Sequence, residues 1–299
     1  MDIGMVGLGR MGGNMALRLA RGGHRVVGYD PGATARGAAP ELETVESLQA
    51  LVEALPAPRA VWLMVPAGAP VDSTLDRLLP LLQPGDVVVD GGNSNYRDSE
   101  RRAARCRDAG VHFLDCGTSG GVWGLQEGYS LMVGGEAEAV ALLRPVLETL
   151  APAPDRGWGH VGPSGAGHFT KMVHNGIEYG MMQAYAEGFA IMQRKESMAL
   201  DLAQVARIWQ HGSVVRSWLL DLATDALERN PTLEGIAPYV SDSGEGRWTV
   251  AEAIDLDVSA PVITLSLLER LRSRENDSYA DKLLAALRQG FGGHGIRPG

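Results

Sequence analysis

The first thirty residues constrain the fold most. Met1 to Val6 is a short apolar run, GLGRMG follows at 7 to 12, Asn14 to Arg21 has apolar residues at helical spacing, and Arg25 to Tyr29 is apolar again before Asp30. Strand, glycine turn, helix and strand in that order make one βαβ unit. Further apolar runs at Ala60 to Val65, Asp86 to Asp90 and Val111 to Leu114 are short, β-rich and flanked by Pro or Gly, with helical segments between them. Such alternation predicts a doubly wound parallel sheet. The segment 145–165 carries four prolines before a long helical pattern begins near Ser164, which puts a domain boundary there: 1–163 and 164–299. Beyond it the spacing predicts helices over roughly 165–194, 200–228, 248–255, 260–274 and 277–290, with no strand and no internal repeat. The expected fold class is α/β, an N-terminal Rossmann-type sheet domain followed by an all-helical C-terminal domain.

Composition narrows the partners. The 299 residues are 45% apolar, enough for two ordinary cores. The net charge of −9 opposes nonspecific attraction to nucleic acid or an anionic membrane, so an anionic ligand needs a local group of arginines. With no apolar stretch of 18 or more residues, and no basic and apolar leader before MDIGMVGLG, the expected setting is soluble and cytoplasmic. Cys106 and Cys116 have no CxxC spacing and no partnering His/Cys set, so free thiols and no metal are expected. The 39 glycines are about twice the average frequency and cluster in short motifs, a pattern suited to backbone that approaches ligands. Of 27 basic residues only Lys171, Lys195 and Lys282 are lysines. Arg cannot be deprotonated in a protein, whereas a buried Lys can serve as a neutral base.

In the glycine turn, Gly7 allows a tight bend after the first strand, Gly9 lets backbone approach a pyrophosphate, and Gly12 permits close packing of the following helix. Asp30 ends the second strand 18 residues after Gly12, where its carboxylate can accept hydrogen bonds from both adenosine ribose hydroxyls. A carboxylate there repels a 2′-phosphate, and the next residue is Pro31 rather than Arg. The expected cofactor is NAD, with NADP less favoured.

Three further blocks suggest chemistry: DGGNSNYRD at 90–98, DCGTSGGVWGLQEG at 115–128 and GAGHFTKMVHNGIEYG at 165–180. The first two fall at the carboxyl ends of predicted strands, where open α/β sheets bind ligands. On a helix, Lys171, His174, Asn175 and Glu178 fall within roughly 100° of one another, while Phe169, Val173 and Ile177 form an opposite face expected to pack. A solvated face is the plain alternative for that stripe. Against it stand a lysine in a nearly lysine-free chain, the helix-internal Gly176 and Gly180, which cost about 1 kcal/mol each, and the position just after the domain junction.

Together these blocks resemble the decarboxylating 6-phosphogluconate dehydrogenase family, and the whole chain resembles its short bacterial form. The related β-hydroxyacid dehydrogenases share the fold, the SGG and the catalytic lysine but lack the HNGIEY run. The resemblance implies oxidative decarboxylation of 6-phospho-D-gluconate to D-ribulose 5-phosphate and CO2 with reduction of NAD, without a metal. It implies that Lys171 removes the proton from the C3 hydroxyl and then polarises the 3-keto group as an acid, and that Glu178 protonates C1 of the enediol. The implied cofactor contacts are Gly7, Leu8, Gly9, Arg10, Met11, Gly12, Asp30, Val65 and Asn93. The implied substrate contacts are Asn93, Ser119, Gly120, Gly121, His174, Asn175, Tyr179, Arg270, Arg288 and His294. Arg288 and His294 belong to RQGFGGH, which resembles a family tail that reaches into the neighbouring subunit's site. One departure concerns the phosphate: SDSGEGRW at 241–248 puts Ser243 where longer members have a lysine, leaving Arg247 as a candidate replacement.

The longer members carry a second helical half, so a single copy predicts a homodimer or dimer of dimers. Two other readings are a non-decarboxylating β-hydroxyacid dehydrogenase of the 3-hydroxyisobutyrate type and a catalytically silent nucleotide sensor. The presence of both Lys171 and Glu178 argues against the latter.

Overall fold

The fold is that of a computed structural model, which describes residues 1–37 and 41–292. Eight strands run β1 (Asp2–Val6), β2 (Arg25–Tyr29), β3 (Glu43–Val45), β4 (Ala60–Leu63), β5 (Val87–Asp90), β6 (His112–Ser119), β7 (Ser130–Gly134) and β8 (Trp158–Gly162). Between them lie α1 (Arg10–Arg21), α2 (Ala33–Gly37), α3 (Leu48–Glu53), α4 (Ala69–Leu78), α5 (Tyr96–Asp108), α6 (Gly124–Glu127) and α7 (Ala137–Leu150). After β8 come α8 (Ala166–Arg194), α9 (Leu202–Trp209), α10 (Trp218–Arg229), α11 (Glu245–Asp255), α12 (Pro261–Arg272) and α13 (Tyr279–Gly292).

The strands form one sheet in the order β3-β2-β1-β4-β5-β6-β7-β8. Pairing is parallel except between β6 and β7, where Thr118 lies opposite Leu131 in an antiparallel register. Strand order reverses between β1 and β4, and that switch point opens the crevice into which the glycine turn projects. The sheet is apolar on both sides because helices cover both. Ile3, Met15, Leu19, Trp62, Leu143 and Leu147 belong to one core, and Val27, Leu51, Val61, Leu75, Val88 and Phe113 to the other.

The chain divides into two compact units, Met1–His174 and Asn175–Gly299, so the division falls inside α8. In the second unit the regular elements among the described residues are all helices, and Ala203, Ala206, Leu220 and Leu227 of α9 and α10 make a small core with Phe189 and Trp209 packed on it. The single helix expected over 200–228 is two. Gly212 takes φ +74, a left-handed conformation that stops a helix cheaply, and Ser217 accepts a hydrogen bond from Leu220 N–H at 3.1 Å as the cap of α10. β7 and β8 also go beyond the expected strands, and β8 lies inside the proline-rich segment that the sequence marked only as a junction.

Candidate active site

The glycine turn assigns each glycine a different physical task. Gly7 has φ +95, and a Cβ added to it would stand 2.4 Å from the Met64 carbonyl oxygen, so only glycine lets β1 bend beside β4. A Cβ at Gly12 would stand 2.0 Å from the Gly7 carbonyl oxygen, which fixes how closely α1 packs on the turn. At Gly9, by contrast, a Cβ would meet nothing within 4 Å. Gly9 is the N-cap of α1 and no side chain caps that helix, so its first-turn N–H groups face an open place suited to an anion. Leu8 is buried, Arg10 is exposed and Met11 half-buried. Asp30 braces the turn from the end of β2. Its Oδ2 accepts from Leu8 N–H at 2.9 Å and its Oδ1 from Gly32 N–H at 2.7 Å, leaving each oxygen capacity for another donor. These residues fit a dinucleotide: an open helix N-terminus for the pyrophosphate and a carboxylate for the ribose.

Two more loops leave the same edge of the sheet. Val65, half-buried, follows β4; Asn93 follows β5 and is exposed. Asn93 sits on a loop held from below by Asp90, whose carboxylate accepts from Gly92 N–H, Ser94 Oγ and Arg102 Nη1 at 3.2, 2.7 and 3.2 Å. Arg102 is fully buried and also pairs with Asp72, whose carboxyl its guanidinium pulls down to about 2. Ser119, the last residue of β6, and Gly120 are half-buried and Gly121 is exposed, with Gly120 at φ +136. The buried ring of Tyr129 fills the space under Gly120 and Gly124, and Arg18 of α1 donates to the carbonyl oxygens of Leu125, Gln126, Thr149, Leu150 and Ala151.

The start of α8 is pressed into a notch of small residues. A Cβ at Gly117 would lie 2.4 Å from Lys171 Cβ, and one at Gly167 2.4 Å from the Asp115 carbonyl oxygen. The buried carboxylate of Asp115 accepts from Gly165 N–H at 2.6 Å and His168 N–H at 2.8 Å, satisfying donors at the helix start and placing a negative charge at its positive end. His168 is itself buried and meets Ser99 Oγ at 2.7 Å, and Phe169 packs edge-on against Tyr96 at 5.3 Å. The result is a fixed Lys171, only 6% exposed, with Nζ 3.4 Å from His174 Nδ1. Asn175 is buried, and His174 and Glu178 are half-buried. Lys171 and Glu178 stand two turns apart, about 10 Å along the helix. The opposite face does not pack throughout as the spacing suggested: Ile177 is 52% exposed, because no described residue covers that part of α8.

In the second unit, Gly176 and Gly180 have a packing reason for being in a helix. A Cβ at Gly176 would lie 2.6 Å from Thr249 Cγ2 and one at Gly180 3.2 Å from Val262 Cγ1, so both let α11 and α12 approach. Tyr179 is buried, its Oη accepts from Ser243 N–H at 3.3 Å, and the Arg270 guanidinium stacks 3.4 Å from its ring centre. Arg270 also donates to the Ser241 carbonyl oxygen at 3.0 Å. Arg247 is differently placed. It pairs with Asp242 at 3.1 Å, as Arg274 does at 2.7 Å, and the two hold that carboxyl down at about 2. Arg288 is exposed on α13, and His294 lies outside the described residues.

The sequence reading missed the groups that hold the site rather than form it: Arg18, Asp90, Arg102, Asp115, His168 and Asp242. Their signal was weak because none stands out locally: Arg102 is one of several charges on α5, and the others are single polar residues in apolar, helical or loop segments. Only the fold brings their partners, up to 133 positions away, into reach.

Residues 2–161 match the NAD binding domain of 6-phosphogluconate dehydrogenase, and residues 167–290 match the 6-phosphogluconate dehydrogenase C-terminal domain. The chain belongs to the 6-phosphogluconate dehydrogenase family. It is 47% identical to the NAD(+)-dependent, decarboxylating 6-phosphogluconate dehydrogenase of Haloferax volcanii, over 99% of this chain and 98% of that one. It is 37% identical to the NAD(+)-dependent, decarboxylating enzyme of Bacillus subtilis over 95% of this chain but only 64% of that one. Among solved structures, Plasmodium falciparum 6-phosphogluconate dehydrogenase, described with NADP+ and with 6-phosphogluconate, superposes with a TM-score of 0.85 at 29% identity, covering all of this chain and 66% of that one. The N-terminal domain of this family member is thus an NAD-binding Rossmann domain and its C-terminal domain is helical. The match of 167–290 does not favour the 3-hydroxyisobutyrate-type alternative. Among the described residues, no helix is long and apolar enough to cross a membrane.

Proposed function

We propose that the protein is an NAD-dependent oxidoreductase that converts 6-phosphogluconate to ribulose 5-phosphate and CO2. The observation that carries this reading is Lys171, buried beside His174 on a helix whose start is fixed by Asp115 and by the glycine notch. We assign 1–163 to cofactor binding and 164–299 to substrate binding and dimerisation. The residues that would hold the cofactor are Gly7, Leu8, Gly9, Arg10, Met11, Gly12, Asp30, Val65 and Asn93; a nicotinamide bound there would supply the acceptor for the hydride from C3 of the sugar acid.

Lys171 as free amine takes the proton from the C3 hydroxyl. A lysine can do this and an arginine cannot. The ammonium so formed then polarises the C3 carbonyl, which is sufficient for a β-keto acid to lose CO2. Glu178, on the same stripe of α8, delivers the proton to C1 of the enediol. Asn93, Ser119, Gly120, Gly121, His174 and Asn175 orient the sugar acid and its carboxylate through the loop and helix donors described above.

For the phosphate, Tyr179 and Arg270 are the assigned contacts. Arg270, stacked on Tyr179 with no carboxylate partner among the described residues, is a better counter-charge than Arg247, which Asp242 neutralises. Arg288 and His294 complete the site from a neighbouring copy, in a homodimer or dimer of dimers. The exposed apolar residues of α12, Val262, Leu265 and Leu268, support such an association. Buried, unpaired Cys106 and Cys116 fit a reducing cytoplasm.

Incubation with NAD and 6-phosphogluconate labelled at C1 tests the assignment. Equal amounts of NADH and labelled CO2 are expected. NADH without CO2, or no turnover, contradicts it.

A further inference from the structure

Asp30 favours NAD over NADP, and Pro31 occupies the place where an arginine could serve a 2′-phosphate. The fold supplies a cation from elsewhere. Arg36, on α2, turns back so that its Nη1 donates to the backbone carbonyl oxygen of Asp30. A guanidinium therefore stands at the end of β2, next to the carboxylate assigned to the ribose. Three other arginines of the first unit are committed to acids: Arg25 pairs with Asp2 and Glu43, Arg21 with Glu41 and Arg59 with Asp86. Arg36 is half-buried and, among the described residues, no carboxylate forms an ion pair with it. Its one bond to a carbonyl leaves several N–H groups of the planar fork available, the geometry that recognises phosphate.

Asp30 counters it. Both Asp30 oxygens are bound by backbone N–H groups, from Leu8 and Gly32, so the carboxylate cannot swing away from an incoming 2′-phosphate of charge about −1.5 to −2. The geometry points to Arg36 as a latent contact for the 2′-phosphate of NADP, kept out of use by the fixed carboxylate of Asp30. Cofactor preference then rests on one side chain, with the opposing cation already in place. This inference depends on the reading of Asp30 as the ribose residue.

Calorimetric titration of the full-length protein with NAD+ and with NADP+ separates the two claims. Asp30→Ser is expected to weaken NAD+ binding about tenfold and to tighten NADP+ binding by a similar factor. Adding Arg36→Gln to Asp30→Ser should remove the gain for NADP+ while leaving NAD+ where Asp30→Ser put it, and Arg36→Lys, which keeps the charge, should retain part of the gain. Asp30→Asn keeps a side-chain acceptor for the backbone and gives the same directions if the serine variant does not fold. If the NADP+ gain survives Arg36→Gln, Arg36 is not the contact although the ribose reading stands. If NAD+ affinity is unchanged in the Asp30 variants, the ribose reading fails and the inference fails with it.

Discussion

The two units treat their apolar side chains in opposite ways. Among the described residues the first unit exposes five large ones, Met1, Val122, Trp123, Leu142 and Val161, and buries a core on each face of its sheet. The second unit exposes twenty-five, from Ile177 on α8 to Leu287 on α13, with Val214 fully accessible, and its own core is a small cluster between α9 and α10. A sheet covered by helices on both faces completes its own burial. A set of helices with one covered side does not, and an exposed apolar surface of this extent is the mark of an association surface. The first unit completes its burial within a single chain, whereas the second leaves apolar surface that the proposed association with another copy would cover.

The contrast predicts where different losses will appear. The largest belongs to the chemistry on α8. Glu178→Gln should lower kcat about 10²- to 10⁴-fold, the range for a lost proton donor, while NAD+ affinity stays unchanged by calorimetry. A parallel loss of NAD+ binding would make Glu178 a structural residue instead. Next is the closed first unit. Arg102→Ala leaves the carboxylates of Asp90 and Asp72 without their buried partner and should cost about 3–5 kcal/mol in denaturant unfolding, independent of protein concentration.

A smaller, concentration-dependent effect should mark the second unit. Leu265→Asp puts a charge on the exposed face of α12 and should shift sedimentation equilibrium toward monomer, with activity falling on dilution. A fully active monomer of the unaltered protein at micromolar concentration would remove the contrast.

The mildest effect is in acid. Asp242 has its carboxyl held at about 2 by Arg247 first and Arg274 second, below its ordinary 3.8. Its contribution to stability is therefore complete above about pH 4 and is lost as pH falls toward 2. Asp242→Asn should lower stability at neutral pH and flatten the decline between pH 4 and 2. An unchanged acid limb would show that the ion pairs around 242 do not stabilise the second unit.

Much of the first unit was legible because its signals are local. The glycine spacing, the strand periodicity and Asp30 lie within thirty residues, and the structure gives Gly7, Gly9 and Gly12 three distinct steric surroundings. The edge strands were harder. SLMVG and WGHVG are short and contain glycine, the first followed by Gly135 and the second by Pro163, and they become strands through pairing, Leu131 opposite Thr118 and beside Trp158. In the second unit the stripe on α8 was readable from helical spacing. The break at Gly212 was not, since one glycine in an apolar pattern is compatible with an unbroken helix. Nor could spacing show that Arg270 lies over Tyr179, because that contact joins α12 to α8, or that Arg247 turns back to Asp242 in the loop before its own helix.

Lysine scarcity ties the sequence to the chemistry. Lys282 pairs with Asp277 at 2.6 Å and Lys195 is exposed, and an arginine could stand at either position. Lys171 is the exception, being buried against Gly117 and His174. The most direct measurement is single-turnover oxidation of 6-phosphogluconate by Lys171→Arg and Lys171→Met, with NAD+ and substrate binding followed by calorimetry. The account predicts that both variants still bind NAD+ and both lose the chemical step by about a thousandfold or more, since neither side chain can accept the C3 hydroxyl proton. Turnover near the unaltered rate in Lys171→Arg would contradict it.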